Sequence, residues 1–367
     1  MKKQNHQAII LGDSFNNTLG LIRSLGEAKV DIVLVLVGED RLHISRSRYL
    51  HTDKVYKIAD IEDSLSIIDK LHDPSKRQYI ICSNDKVAQF VDANEEVLSQ
   101  HFITPLRGKR LENMMDKDAQ CKLATECGIR VPTSIIYDRG DKFPDNCSYP
   151  ILLKPTNSNT GLKSDIHICN TYKEVQECLN KETNCRKYIV QEYIPKEYEI
   201  NLIGVSTNKG VLIPGGIKKL RHYPTIYSPC SYGIYLSCDE LGVDTTPIKN
   251  FIEKVGYYGP FSAEFLHYKG NNYFMEVNFR HDGLAYTATA AGANLLKSYI
   301  YEDTHIKKIR KTYMMDLSID YCHVKKGTIT KFEWLKDFLK TRCQLNFNWK
   351  DPMPTLCYYW NKIASKF

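Results

Sequence analysis

Tyr273-Phe274-Met275-Glu276-Val277-Asn278-Phe279-Arg280 alternates polar with apolar residues, and a lone acid precedes it in Phe261-Ser262-Ala263-Glu264-Phe265. The run Lys269-Gly270-Asn271-Asn272 between them has turn composition, so the two segments read as a hairpin. Side chains alternate along a strand, which puts Glu276, Asn278 and Arg280 on one face and Met275, Val277 and Phe279 on the other. Glu264 can face the polar set from across the hairpin. Two carboxylates and an amide oxygen form a hard-oxygen cage of the kind Mg²⁺ takes, and a neighbouring guanidinium can hold a phosphate. An edge hairpin with its acids in water is the plain alternative. The short acid-bearing strand upstream, the turn and the arginine together favour a site.

Working outward, 367 residues allow two or three domains, and 43% hydrophobic with 25% charged residues is ordinary for a globular protein. No apolar run approaches the ~18 residues of a membrane span. Met1-Lys2-Lys3-Gln4-Asn5-His6 leads into a strand rather than a secretory apolar core, so a cytoplasmic location is expected. The 12 cysteines are scattered without a Cys-x-x-Cys pair, which speaks against a disulfide framework or a zinc knuckle. The net charge of +7 is concentrated in the tail, where residues 305–367 hold 13 Lys and Arg against 5 Asp and Glu.

The N-terminal third starts with the apolar strand Gln7 to Leu11, a turn at Gly12, a helix around Leu19 to Leu25 and a second apolar strand, Val30 to Val37. That is a βαβ unit with a parallel sheet, and residues 1–105 read as a small Rossmann-like domain. Its first turn, Gly12-Asp13-Ser14-Phe15-Asn16-Asn17, lacks the second glycine of Gly-x-Gly-x-x-Gly, so a dinucleotide is not expected. Asp85 follows a strand at the edge where open α/β sheets take ligands, and it suits a helix N-terminus equally well. A charged helix from Leu111 to Ala124 ends at Gly128, and a buried strand then carries Lys154 in Ile151-Leu152-Leu153-Lys154-Pro155. A polar loop over 157–164, the segment Gln191-Glu192-Tyr193-Ile194-Pro195 and the alternating strand Glu197-Tyr198-Glu199-Ile200-Asn201 follow.

In that order and spacing the chain resembles the ATP-grasp superfamily of carboxylate-activating ligases from Gln7 to about Tyr299. The resemblance implies a Rossmann-like pre-ATP-grasp domain (1–105), a small lobe with its linker helix (106–185), a catalytic lobe (186–304) and a basic C-terminal extension (305–367). It implies that Lys117 and Lys154 hold nucleotide phosphates from the two sides of a cleft. Lys163 would join them from the loop, where Gly161 alone remains of the family's glycine-rich flap. Glu192, Tyr193 and Ile194 correspond to the adenine slot, with Glu197 or its alternative Glu199 on the ribose. Glu264, Glu276 and Asn278 match the metal ligands, for Mg²⁺ or Mn²⁺, and Arg280 the arginine near the reacting phosphate.

The basic run Lys218-Lys219-Leu220-Arg221-His222 after Gly215-Gly216 suits an anionic substrate, with Arg221 and Lys218 as its expected ligands; a solvated basic loop is the alternative. His281 is a candidate proton acceptor for an incoming amine. The expected activity is ADP-forming ligation of a small-molecule carboxylate to an amine through an acyl phosphate, without a nucleic-acid partner. The resemblance is nearest to single-chain ligases of amino acids or cell-envelope precursors, such as D-aspartate ligase. A nucleotide-binding pseudoenzyme with a regulatory or scaffold role is the competing class. The tail reads by default as a helix pair packed on the catalytic lobe. Its charge leaves open contact with an anionic membrane or with a lipid- or nucleotide-linked substrate, and a homodimer is also left open.

Overall fold

The computed structural model describes residues 5–364 except 108–110, 112–113, 115, 145–146, 156–166, 182–185 and 307. Four strands, β1 (Asn5–Gly12), β2 (Asp31–Val37), β3 (Val55–Ile58) and β4 (Lys76–Cys82), form a sheet in the order β3-β2-β1-β4. All its pairings are parallel. Its central strands are apolar on both faces because helices and loops cover both, as parallel sheets require. The strand order reverses between β1 and β4, whose carboxyl ends therefore border a crevice.

The small lobe is an antiparallel sheet of β5 (Ser134–Asp138), β6 (Ile151–Pro155), β7 (His167–Cys169) and β8 (Lys187–Glu192), in the order β5-β8-β6-β7. Ile151, Leu153, Tyr188 and Val190 face the helix Tyr172–Lys181, packing on its Val175 and Leu179. Alternation then turns Lys154 and Gln191 to the other face.

Seven strands make the large sheet: β9 (Tyr198–Thr207), β10 (Gly210–His222), β11 (Cys230–Ser237), β12 (Gly259–Tyr268), β13 (Asn271–Asn278), β14 (Thr312–Met315) and β15 (Thr341–Gln344). Their order is β13-β12-β9-β10-β11-β14-β15. One face buries Ile200, Leu202, Ala263, Phe265, Phe274 and Val277 against Ile248, Phe251 and Ile252 of the helix Thr246–Val255. The opposite face carries the polar residues Glu199, Asn201, Glu264 and Glu276.

The tail departs from the expected extension. Residues 312–315 and 341–344 complete the large sheet as β14 and β15. Asp316 to Tyr321, which alternates like a strand, is instead the start of the helix Leu317–Lys325, because the Asp316 side chain accepts from Ile319 N and caps it. That helix and Lys331–Lys340 are the packed pair that was the default reading. Farther on, Asp351 is fully buried beside Arg23 of the N-terminal helix Asn16–Glu27, with Nε to Oδ2 at 3.2 Å. Arg23 also donates to the carbonyls of Leu345, Asn346 and Asp351, so the tail is stitched into the body of the protein.

Candidate active site

The hairpin forms as its sequence indicates, with a two-residue turn. Lys269 and Gly270 both have positive φ, 47° and 74°, the backbone of a type I′ connection. That turn alone would oppose Glu264 to Met275, but an irregularity between Glu264 and Phe265 advances the pairing by one residue. Glu264 therefore lies opposite Glu276, and Ser262 opposite Asn278. Asn278 Nδ2 comes within 3.4 Å of Glu264 Oε1, so the three expected ligands are together.

β13 is an edge strand, and its exposed backbone positions the next group. The Gln120 amide donates to Val277 O at 3.1 Å and accepts from Val277 N at 2.7 Å. This double bond docks the helix Lys117–Glu126 against the strand, with Asp116 as its N-cap. Lys117, in the helix's first turn, then reaches Glu276 Oε2 at 2.8 Å. From the small lobe, Lys154 donates to Gln191 Oε1 at 3.1 Å. Burial and the neighbouring Lys117 ammonium hold the Lys154 pKa below its ordinary value. Burial pulls Lys117 the same way, but the Glu276 carboxylate outweighs it and the net shift is upward. Two lysines, one from the linker helix and one from the small-lobe sheet, thus converge above the hairpin carboxylates.

The central cation of the cluster is one the sequence reading passed over. Lys219, 9% exposed, donates to Glu199 Oε2 at 2.9 Å and to Glu264 Oε2 at 2.7 Å. Burial would lower its pKa, and the two carboxylates drive it far above the usual lysine range. Burial also pushes Glu264 up, and although Lys219 pulls against this, the charges of Asp282 and Glu276 add to the rise. Glu199 is bonded to Lys196 as well, and its net shift is downward: burial raises it, but Lys219 and Lys196 prevail. Glu199 therefore belongs to the cluster. Glu197 does not: its carboxylate accepts from Lys269 N at 3.2 Å, at the hairpin turn.

The two substrate ligands expected from the basic run are elsewhere. Lys218 lies on the reverse of the sheet, its Nζ 3.6 Å from the ring centroid of Tyr198. Arg221 is engaged by Asp320 and Asp337 of the C-terminal helices, at 2.8 and 2.6 Å. Arg280 stays near the carboxylates. Its Nη2 donates to Asn278 Oδ1 at 3.2 Å, and its Nε and Nη2 grip Asp85 at 2.8 and 3.1 Å. Asp85 thereby joins the N-terminal domain to the hairpin. His281 is no surface base: it is 4% exposed, packs against Gly20, and burial drives its pKa down to about 4.

At the expected adenine slot, Glu192 Oε2 accepts from Thr133 N at 3.2 Å, Tyr193 N donates to Pro150 O at 3.4 Å, and Ile194 is buried. Lys163 and the loop over 157–164 lie outside the described residues. Among the described residues no three His, Cys, Asp or Glu side chains group as metal ligands. Glu264 and Glu276 instead offer two carboxylates, hard donors that fit Mg²⁺; Asn278 beside them turns its Nδ2 to Glu264 and its Oδ1 to Arg280, so its carbonyl joins the set only on rotation of the amide.

Comparison with known proteins bears on the fold. No family model matches the chain. In sequence it is 23% identical over 334 residues to a D-aspartate ligase of Enterococcus faecium, covering 83% of this chain and 78% of that protein. It is 26% identical over 146 residues to a formate-dependent phosphoribosylglycinamide formyltransferase of Wolinella succinogenes, covering 38% of this chain and only 36% of that protein. In structure it superposes on an N5-carboxyaminoimidazole synthetase from Staphylococcus aureus complexed with ADP, with a TM-score of 0.65 at 15% identity over 89% of this chain and 86% of the other. An L-amino acid ligase from Bacillus licheniformis gives 0.58 at 15% identity, over 84% and 76%. The fold is that of the ATP-grasp carboxylate–amine ligases.

Proposed function

We propose that this chain is an ATP- and Mg²⁺-dependent ligase that joins a small-molecule carboxylate to an amine, releasing ADP and phosphate. The observation that carries this reading is the convergence of Lys117, from the helix docked on the large sheet, and Lys154, from the small-lobe sheet, on the strand carboxylates Glu264 and Glu276. Cations on two sides of a cleft suit a triphosphate, and the acids below suit the metal that accompanies it. The similarity to proteins named for coupling amino acids supports an amino acid as one of the two substrates.

Lys117 and Lys154 neutralise the phosphates and hold the terminal phosphoryl group in line. Glu199 accepts the ribose hydroxyls, with the segment 192–194 against adenine. Glu264, Glu276 and Asn278 would hold Mg²⁺, which would supply neutralisation of phosphate charge. The substrate carboxylate attacks the γ-phosphorus, the bond to the bridging oxygen breaks, and ADP leaves. The amine then displaces phosphate from the acyl phosphate and gives up its proton to solvent. Arg280 stabilises the negative charge in both steps. No protein nucleophile takes part.

The test is ADP release measured with Mg²⁺ against a panel of carboxylates, amino acids foremost, with and without amine acceptors. ADP release stimulated by one acid–amine pair is expected. ATP binding with no stimulated release across a broad panel would return the pseudoenzyme reading.

A further inference from the structure

In the C-terminal helix Met353–Ala364, Met353, Leu356, Trp360 and Ile363 recur at intervals of three and four and form one stripe. Such a stripe ordinarily packs inward. Here all four are exposed, Trp360 at 74%, and Trp349 just before the helix is 86% exposed. The helix itself is fixed in place. Pro354 is buried, Asn361 reaches His43 at 3.1 Å, and Asp351 just ahead accepts from Ser47 Oγ and Arg48 N. The helix Lys331–Lys340 repeats the pattern: Trp334 and Phe338 stack on each other on the inner side, while Phe332, Leu335 and Leu339 are exposed, Phe332 at 78%.

Charge decides what covers these residues. From Phe338 to Ala364 the exposed charges are Lys340, Arg342, Lys350 and Lys362, of which Lys340 pairs with Asp337 and Lys350 with Glu27; Asp351, the one acid in that span, is buried against Arg23. Arg46 and Arg48, from the segment beneath the C-terminal helix, are exposed too. A second copy packed about a two-fold axis would bring two like-charged surfaces together around the stripe, with few exposed acids near it to answer the cations. An anionic bilayer satisfies both features: tryptophans sit at headgroup depth, aliphatic side chains enter below them, and lysines and arginines meet the lipid charge.

We infer that the exposed stripe of the helix Met353–Ala364, with Trp349 and its basic surround, docks this protein on an anionic membrane surface. The contact is peripheral; no described helix is long and apolar enough to cross a membrane. It is independent of the ligase reading, and its test requires no turnover.

The full chain is sedimented with vesicles of equimolar phosphatidylcholine and phosphatidylserine, beside vesicles of phosphatidylcholine alone. Binding at least about tenfold stronger to the anionic vesicles is expected, with a blue shift of tryptophan emission and weakening in salt. The double variant Trp360→Glu/Ile363→Glu should bind no better than wild type binds phosphatidylcholine, with its melting temperature unchanged because both side chains are exposed. Equal binding to the two lipids, no binding to either, or undiminished binding of the double variant would overturn the inference. So would a concentration-dependent dimer that the double variant dissolves, since the stripe would then belong to a second copy.

Discussion

Two cations stand two residues apart on β10, and each is held by two acids. Lys219 lies between Glu199 and Glu264, and Arg221 between Asp320 and Asp337. The pairing of β10 with β11 is irregular between them, which gives them different neighbours. The acids around Lys219 come from β9 and β12, on the face that meets Lys117 and Lys154. Those around Arg221 come from the helices Leu317–Lys325 and Lys331–Lys340. The same chemistry therefore serves a ligand cleft in one place and fastens the tail in the other. The residue that looked like a substrate ligand is the fastener.

Breaking the first cluster has the largest expected effect. Lys219→Met leaves Glu199 and Glu264 buried without their shared cation, which should cost about 3–5 kcal/mol in denaturant unfolding and abolish turnover. Retention of wild-type stability would show that the cluster is solvated. Arg221→Ala should cost about 3 kcal/mol because Asp320, at 0% side-chain exposure, loses its guanidinium, while ATP affinity stays unchanged. A matching loss of ATP affinity would put Arg221 back in the site.

His281 probes the join beneath the hairpin. Its native pKa is lowered to about 4 from 6.5, so between those values the unfolded chain binds a proton that the native chain does not. Stability from this group is complete above about pH 6.5 and falls with pH toward 4, by up to about 3 kcal/mol. His281→Gln should flatten that part of a stability–pH curve, and an unchanged slope would contradict the buried neutral histidine. Lys117→Ala should lower turnover by about 100-fold, with a stability change under about 1 kcal/mol since Lys117 is half exposed. Lys218→Ala loses one contact with Tyr198, about 0.5–1 kcal/mol, and should leave turnover intact.

What was legible in the sequence depended on local signals. The parallel N-terminal sheet, the hairpin and Lys154 at a strand end follow from periodicity, turn composition and order, whereas the helix expected from Leu111 to Ala124 begins only at Lys117, because the Asp116 side chain accepts from Ala119 N and caps it there. Lys219 was not legible, because choosing among Lys218, Lys219 and Arg221 needs the register of β10 against β9, and a slip of one residue exchanges the faces. For the same reason Glu197 and Glu199 could not be separated until the first was seen at the hairpin turn and the second beside Lys219. The pairing of Glu264 with Glu276 rests on an irregularity that no pattern announces. The tail misled because Asp316 to Tyr321 alternates like a strand while Asp316 caps a helix, and because the partner of Asp351 lies 328 positions away at Arg23.

The central claim is that the nucleotide lies between Lys117, Lys154 and the hairpin, and not at the basic run of β10. Calorimetric titration of Mg²⁺–ATP into Lys154→Ala and Arg221→Ala, side by side with wild type, tests it most directly. The account predicts affinity lowered at least about tenfold in Lys154→Ala, a loss of about 1.4 kcal/mol, and unchanged in Arg221→Ala. Wild-type affinity in Lys154→Ala together with a loss in Arg221→Ala would contradict it.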